Sequence, residues 1–145
     1  MDRREYAVEL KHSKEKHNCC QAVLCAFADQ IDLPYQTIRK LGANFGTGMG
    51  CMEATCGALC AIQILFGLRN FQGKPLNPKA AVMLRMFEEK CGATLCKDLK
   101  GRDTGVVLCE CDDCVRNAVA VYEEFVAAEA QRAAEESLKA AEAAK

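Results

Sequence analysis

Apolar residues recur at helical spacing along most of the chain, and the pattern predicts an all-α protein: a compact bundle of five to six helices with a long C-terminal helix. Residues 2–16 read as a charged helix with a thin apolar side from Tyr6, Ala7 and Leu10. Asn18 is a favoured N-cap, and Cys19-Cys-Gln-Ala-Val-Leu-Cys-Ala-Phe27 follows as a buried helix to about Ala28. Leu33-Pro34 opens a short third helix to about Ala43, because proline suits a first helical position. A fourth, apolar nearly all round and therefore central, spans Glu53 to Leu68, with Gly67 marking its end. Asn77-Pro78 starts a fifth, on which Ala80, Met83, Leu84 and Phe87 form a core-facing stripe up to Lys90, with Gly92 as the stop signal. The last helix starts at Asp112 or Asp113 and carries Val115, Ala118, Val119, Tyr122, Phe125 and Val126 in unbroken spacing. Between the fifth and last helices, Val106–Leu108 has strand character but nothing to pair with.

At 145 residues the chain supports one domain with a real hydrophobic core. Residues 1–127 carry the patterned, cysteine-rich part. Residues 128–145 are an Ala/Glu-rich helical extension with little to bury beyond Leu138, read as solvated or as a docking helix, a homodimer contact included. A net charge of −1 and scattered aromatics argue against nucleic-acid binding. The amino-terminal residues lack the apolar core of a signal peptide. Gln63 interrupts the longest apolar run, Ala58–Leu68, which is too short to span a bilayer. The expectation is a soluble cytoplasmic protein without membrane insertion.

Eleven cysteines change the picture. That density is met in small secreted disulfide scaffolds, but the odd count, the missing export signal and the adequate core oppose that reading. Metal, cluster or reversible thiol chemistry gains weight for the set, although for any single cysteine packing is the plainer reading. His12 and His17 are five residues apart, off a common helical face, and read as solvated.

The chain turns around Asn44-Phe-Gly-Thr-Gly-Met-Gly-Cys-Met-Glu-Ala-Thr-Cys-Gly-Ala-Leu-Cys60. Gly46, Gly48 and Gly50 imitate a phosphate cradle only superficially, since no GK[ST] follows and no strand precedes. The loop is either a tight interhelical connection or one whose amides face a sulfur or cluster. Cys19, Cys56 and Cys114 all fall near expected helix starts, where unpaired amides favour thiolate over thiol. Asp112 and Asp113 oppose this at Cys114. Cys111-Asp-Asp-Cys114 is a single CxxC, a dithiol or half a metal site; a structural zinc site usually shows two.

Asn18-Cys19-x-Gln21-Ala22-Val23-Leu24, Phe45-Gly46-x-Gly48-Met49-Gly50, Cys56-Gly57-Ala58, Cys96-x-x-Leu99 and the final Cys114 resemble the C-GCAxxG-C-C family of redox-active proteins from about Ala7 to Tyr122. Ala61 departs from the family's motif-closing glycine. The resemblance implies a small helical protein whose four defining cysteines correspond to Cys19, Cys56, Cys96 and Cys114. In a related domain at the carboxyl end of a split-Soret type cytochrome, cysteines hold an iron–sulfur cluster. Carried to this chain, those four become ligands of a cluster, [2Fe–2S] by their number, with Gly48, Gly50 and Gly57 giving backbone access. The role is then electron transfer or redox sensing with an unknown partner protein. Two alternatives stay open: a metal-free thiol–disulfide protein, and a helical interaction module whose cysteines mostly pack. No convergent carboxylate pair or Ser-His-Asp set points to side-chain acid–base catalysis.

Overall fold

The computed structural model describes residues 2–144, which form seven α-helices and, among those residues, no extended strand. They are α1 (Arg3–Lys11), α2 (Cys19–Ala26), α3 (Tyr35–Gly42), α4 (Gly57–Asn70), α5 (Asn77–Cys91), α6 (Cys96–Lys100) and α7 (Cys111–Ala143). The count exceeds the expected five to six because α6 is a five-residue helix, too short to leave a periodic trace. A 3-10 turn follows α2, and a wide π-type turn, Gly48–Met52, occupies the glycine-rich loop.

α2 organises the bundle, packing on α1, α3, α4 and α7. Every residue of α2 except Gln21 is buried. Its start is fixed by a reciprocal capping box: Asn18 accepts from the Gln21 N–H at 2.8 Å, and Gln21 accepts from the Asn18 N–H at 3.0 Å. The Asn18 amide also donates to the carbonyls of Gly42 and Ala43, so one side chain ties the start of α2 to the end of α3. α4, apolar as expected, packs on α2, α5 and α7. Phe27 meets Tyr122 edge-on with ring centres 5.0 Å apart, and the Arg3 guanidinium lies 4.6 Å over its ring.

α4 begins at Gly57, not Glu53. The preceding residues are engaged elsewhere, and Met52 is left-handed at φ 65°. It also runs past Gly67 to Asn70. α5 ends as expected at Gly92, whose φ of 95° suits glycine. α7 continues beyond the packed residues, and from Gln131 onward every described residue is exposed.

His17 corrects the solvated reading. It is 4% exposed, its Nδ1 donates to the Leu10 carbonyl at 3.1 Å, and its Nε2 accepts from the Tyr35 hydroxyl at 2.9 Å. Burial holds this imidazole below the ordinary histidine range. His12 is mostly exposed and pairs with Asp112, which also receives Lys11. Among the described residues no helix is long and apolar enough to cross a membrane.

Candidate thiol-rich site

Four cysteines stand where helices begin. Cys19, Cys96 and Cys111 are the first residues of α2, α6 and α7, and Cys56 is the N-cap of α4. Backbone pairing ties the segments of two of them together, with Cys56 and Cys96 diagonal across the Thr55–Leu95 bridge: the Cys56 N–H donates to the Thr94 carbonyl at 2.9 Å and the Cys96 N–H to the Ala54 carbonyl at 3.0 Å. This two-bond bridge joins the segments leading into α4 and α6.

Two glycines let other parts approach. A Cβ on Gly57 would sit 2.5 Å from the Cys19 sulfur and 2.4 Å from the Phe45 carbonyl oxygen. The start of α4 therefore lies against Cys19 only because the residue after Cys56 has no side chain. Gly48, at φ 57°, would put a Cβ 2.6 Å from that of Cys96, so the loop passes directly over this cysteine. Gly50 is different. It is exposed, at φ 90°, with nothing within 4 Å of a Cβ, and it shapes the turn without touching a cysteine.

The electrostatics link these thiols. Cys111 donates a hydrogen bond to Cys19, holding the Cys19 thiol below its ordinary value and pushing its own well above; a Thr47 backbone bond adds to the effect on Cys19. Cys56 is also lowered, chiefly through the neighbouring Cys114 thiol and then by the N–H groups of Leu59 and Ala58 at the start of α4. Burial raises Cys96, against the opposing charge of Lys100. Cys19 and Cys96 each sense Cys56, and Cys19, Cys56 and Cys96 all sense Cys111. Cys19, Cys56, Cys96 and Cys111 thus share one neighbourhood.

Cys114 touches Cys56 but has other company. The sulfurs of Cys91, Cys109 and Cys114 all lie within 4.8 Å of one another, and all three residues are buried. Cys91 ends α5, Cys109 lies in the loop before α7, and Cys114 is in the first turn of α7. The Asn117 amide, one turn on, donates to Cys91 at 3.3 Å and to Cys109 at 3.8 Å. Cys91 is brought down to about 7, first through the neighbouring Cys114 thiol, whose S–H donates to the Cys109 carbonyl at 3.7 Å, while burial lifts Cys109 to about 11. This group can hold a metal ion. The Cys111-Asp-Asp-Cys114 pair is therefore divided between two neighbouring thiol groups.

The sequence reading gave no role to Cys91 or Cys109 and took Cys111 only as half of a CxxC with Cys114. The one available signal was the spacing Cys109-x-Cys111-x-x-Cys114 beside a helix start. Cys20, Cys25 and Cys60 are packed into or against the core and raised by burial, and Cys51 is exposed. All eleven cysteines are free thiols.

A family model matches residues 17–125, most of the chain, and its description reads "Putative redox-active protein (C_GCAxxG_C_C)". The chain belongs to this family. No curated protein and no solved structure matches it.

Proposed function

We propose that this family member handles electrons through an iron–sulfur cluster held by Cys19, Cys56 and Cys96, with Cys111 as the fourth thiolate. One observation carries the reading: four cysteines from distant segments meet at helix beginnings, Cys111 against Cys19, with Cys56 and Cys111 both close enough to act on Cys96. Two tetrahedral irons take two thiolates each, which is the donor set of [2Fe–2S]. A single ion suits these four poorly, since only Cys91, Cys109 and Cys114 come within 4.8 Å of one another among the described ligand groups. Cys114, the fourth ligand expected from the sequence, on this proposal belongs to the neighbouring group.

A bound cluster would supply a one-electron couple. The chain's own residues do the rest. Gly48 and Gly57 keep bulk away from Cys96 and Cys19. The unpaired N–H groups of Ala58 and Leu59 at the start of α4 favour negative charge on the Cys56 sulfur, and donors of this kind raise a reduction potential by stabilising added negative charge. The reading carries with it a reducing compartment and a redox partner protein. Iron and acid-labile sulfide on protein isolated without oxygen test it. Cys111→Ser is expected to abolish both and Cys114→Ser to retain them; the reverse result would restore the Cys114 assignment, and iron-free wild-type protein would end the cluster reading.

The Cys19–Cys111 contact favours a second reading. A lowered Cys19 thiolate attacks an oxidised partner disulfide, and Cys111 resolves the mixed disulfide. The two cysteines give up two electrons and two protons, and the partner becomes a dithiol. Iron-free protein losing two thiols reversibly on oxidation, but not as Cys111→Ser, is its signature.

A further inference from the structure

We infer that Cys91, Cys109 and Cys114 form a second metal site, selective for a thiophilic d10 cation of the Zn(II) and Cu(I) class. The site does not depend on the cluster reading.

Geometry comes first. Three sulfurs from three segments lie mutually within 4.8 Å and are buried. Zn–S bonds of about 2.3 Å place ligand sulfurs roughly 3.8 Å apart, so only a small contraction separates this arrangement from a filled site. The supporting backbone is well tied. The N–H groups of Leu108 and Cys109 both donate to the Leu99 carbonyl, at 2.9 and 3.2 Å, which pins the loop that carries Cys109. Gly92, in the left-handed region, ends α5 immediately after Cys91.

The second observation is Asn117. Cysteines that merely fill a core need no polar partner, yet this half-buried amide donates to two of the three sulfurs. N–H···S donors stabilise thiolates and orient them, the usual role of groups just outside a metal's ligands. The chemistry of the donors then narrows the ion. The group contains no carboxylate and no imidazole, so magnesium, calcium and manganese are disfavoured, and soft or borderline d10 ions are preferred. A surface cleft bordered by Lys90, Asp113 and Asn117 reaches Cys109, giving an entry path and room for a small fourth ligand. Binding forms three metal–sulfur bonds and releases to buffer whatever protons the thiols still hold; no electrons move.

The test uses the full chain, isolated without oxygen and passed through a chelating column. Zn(II) and Cu(I) are titrated separately against competing chelators, with Co(II) as an optical probe for thiolate ligation. One equivalent is expected, retained by Cys19→Ser and Cys111→Ser but lost from Cys91→Ser and Cys109→Ser. Asn117→Ala, which leaves all three ligands, should weaken binding by about 10-fold or more. Whichever ion survives competition is the resident one. Retention of the equivalent by a folded Cys91→Ser/Cys109→Ser double variant, or failure of folded wild-type protein to bind any of the three ions, overturns the site. Iron and sulfide measured on the same samples separate this outcome from that of the cluster: a chain without iron that still binds zinc at Cys91 refutes the cluster alone.

Discussion

Replacing Gly57 by alanine adds one methyl group where two neighbours already stand. The new Cβ would lie 2.4 Å from the Phe45 carbonyl oxygen and 2.5 Å from the Cys19 sulfur, about 1 Å inside ordinary contact with each. The carbonyl belongs to the backbone of the glycine-rich loop, and the sulfur is held by Cys111. Neither retreats without cost. Overpacking of this kind costs about 1–3 kcal/mol, and simultaneous clashes with backbone and a held side chain point to the upper end. Alanine's helical preference opposes this by at most about 1 kcal/mol. The net expectation is a loss of about 2 kcal/mol, or roughly 4–8 °C in Tm for a chain of this size. Urea unfolding of wild type and Gly57→Ala, reduced and metal-free, measures it directly. Gly67→Ala is the matched control: it lies in the same helix with nothing within 4 Å of a Cβ and should stabilise by about 0.5–1 kcal/mol. If Gly57→Ala unfolds within about 0.5 kcal/mol of wild type, the close approach of α4 to Cys19 is wrong, and the grouping of Cys19 with Cys56 fails with it.

Asn18→Ala removes the capping box and the two bonds to the end of α3, and should cost about 1–2 kcal/mol by urea unfolding, whereas Asn18→Asp, which keeps the cap, should cost less. A chain ending at Ala130 loses, among the described residues, only exposed ones; its stability should stay within about 0.5 kcal/mol of wild type, while far-UV helical signal falls in proportion to the helical residues removed. A larger drop would show that the tail packs. Arg3 holds the Asp29 carboxyl below the usual carboxylate range through a hydrogen bond, so this pair stabilises the fold above the unfolded value of about 3.9 and ceases to as pH falls through the lower folded value. Asp29 is mostly exposed, so Asp29→Asn should cost well under about 1 kcal/mol at pH 6 and less at pH 2; equal losses at both would remove the electrostatic account.

Helices α2, α5 and α7 were legible in the sequence because each buries one continuous apolar face, and its caps are local: Asn18 for α2, Gly92 for α5. What was not legible depends on distant partners. α6 is barely more than a turn, held by the Thr55–Leu95 bridge and by Leu99, whose carbonyl is bonded by Leu108 and Cys109. The same bridge delays the start of α4, moving Cys56 from the helix to its N-cap. His17 looked solvated because its partner Tyr35 comes from α3. The cysteines divide the same way. Cys19 and Cys56 were marked by expected helix starts and by the family motif, and Cys96 by the motif alone, since α6 left no trace in the sequence pattern. Cys111 was read only as half of a CxxC with Cys114, because the helix was expected to start at Asp112 or Asp113 and α7 begins at Cys111. Cys91 and Cys109 occupy a helix end and an irregular loop, where spacing along the chain says nothing about spacing in three dimensions.

The long final helix has a practical consequence for weighing the molecule. Its fully exposed stretch, 131–144, rises about 1.5 Å per residue, so a rod roughly 20 Å long stands off a rounded body. Such a particle diffuses more slowly than a sphere of 15.9 kDa and elutes early from a sizing column. A single chain can then pass for a pair, and light scattering or sedimentation equilibrium, which are blind to outline, is the proper balance on which to count copies.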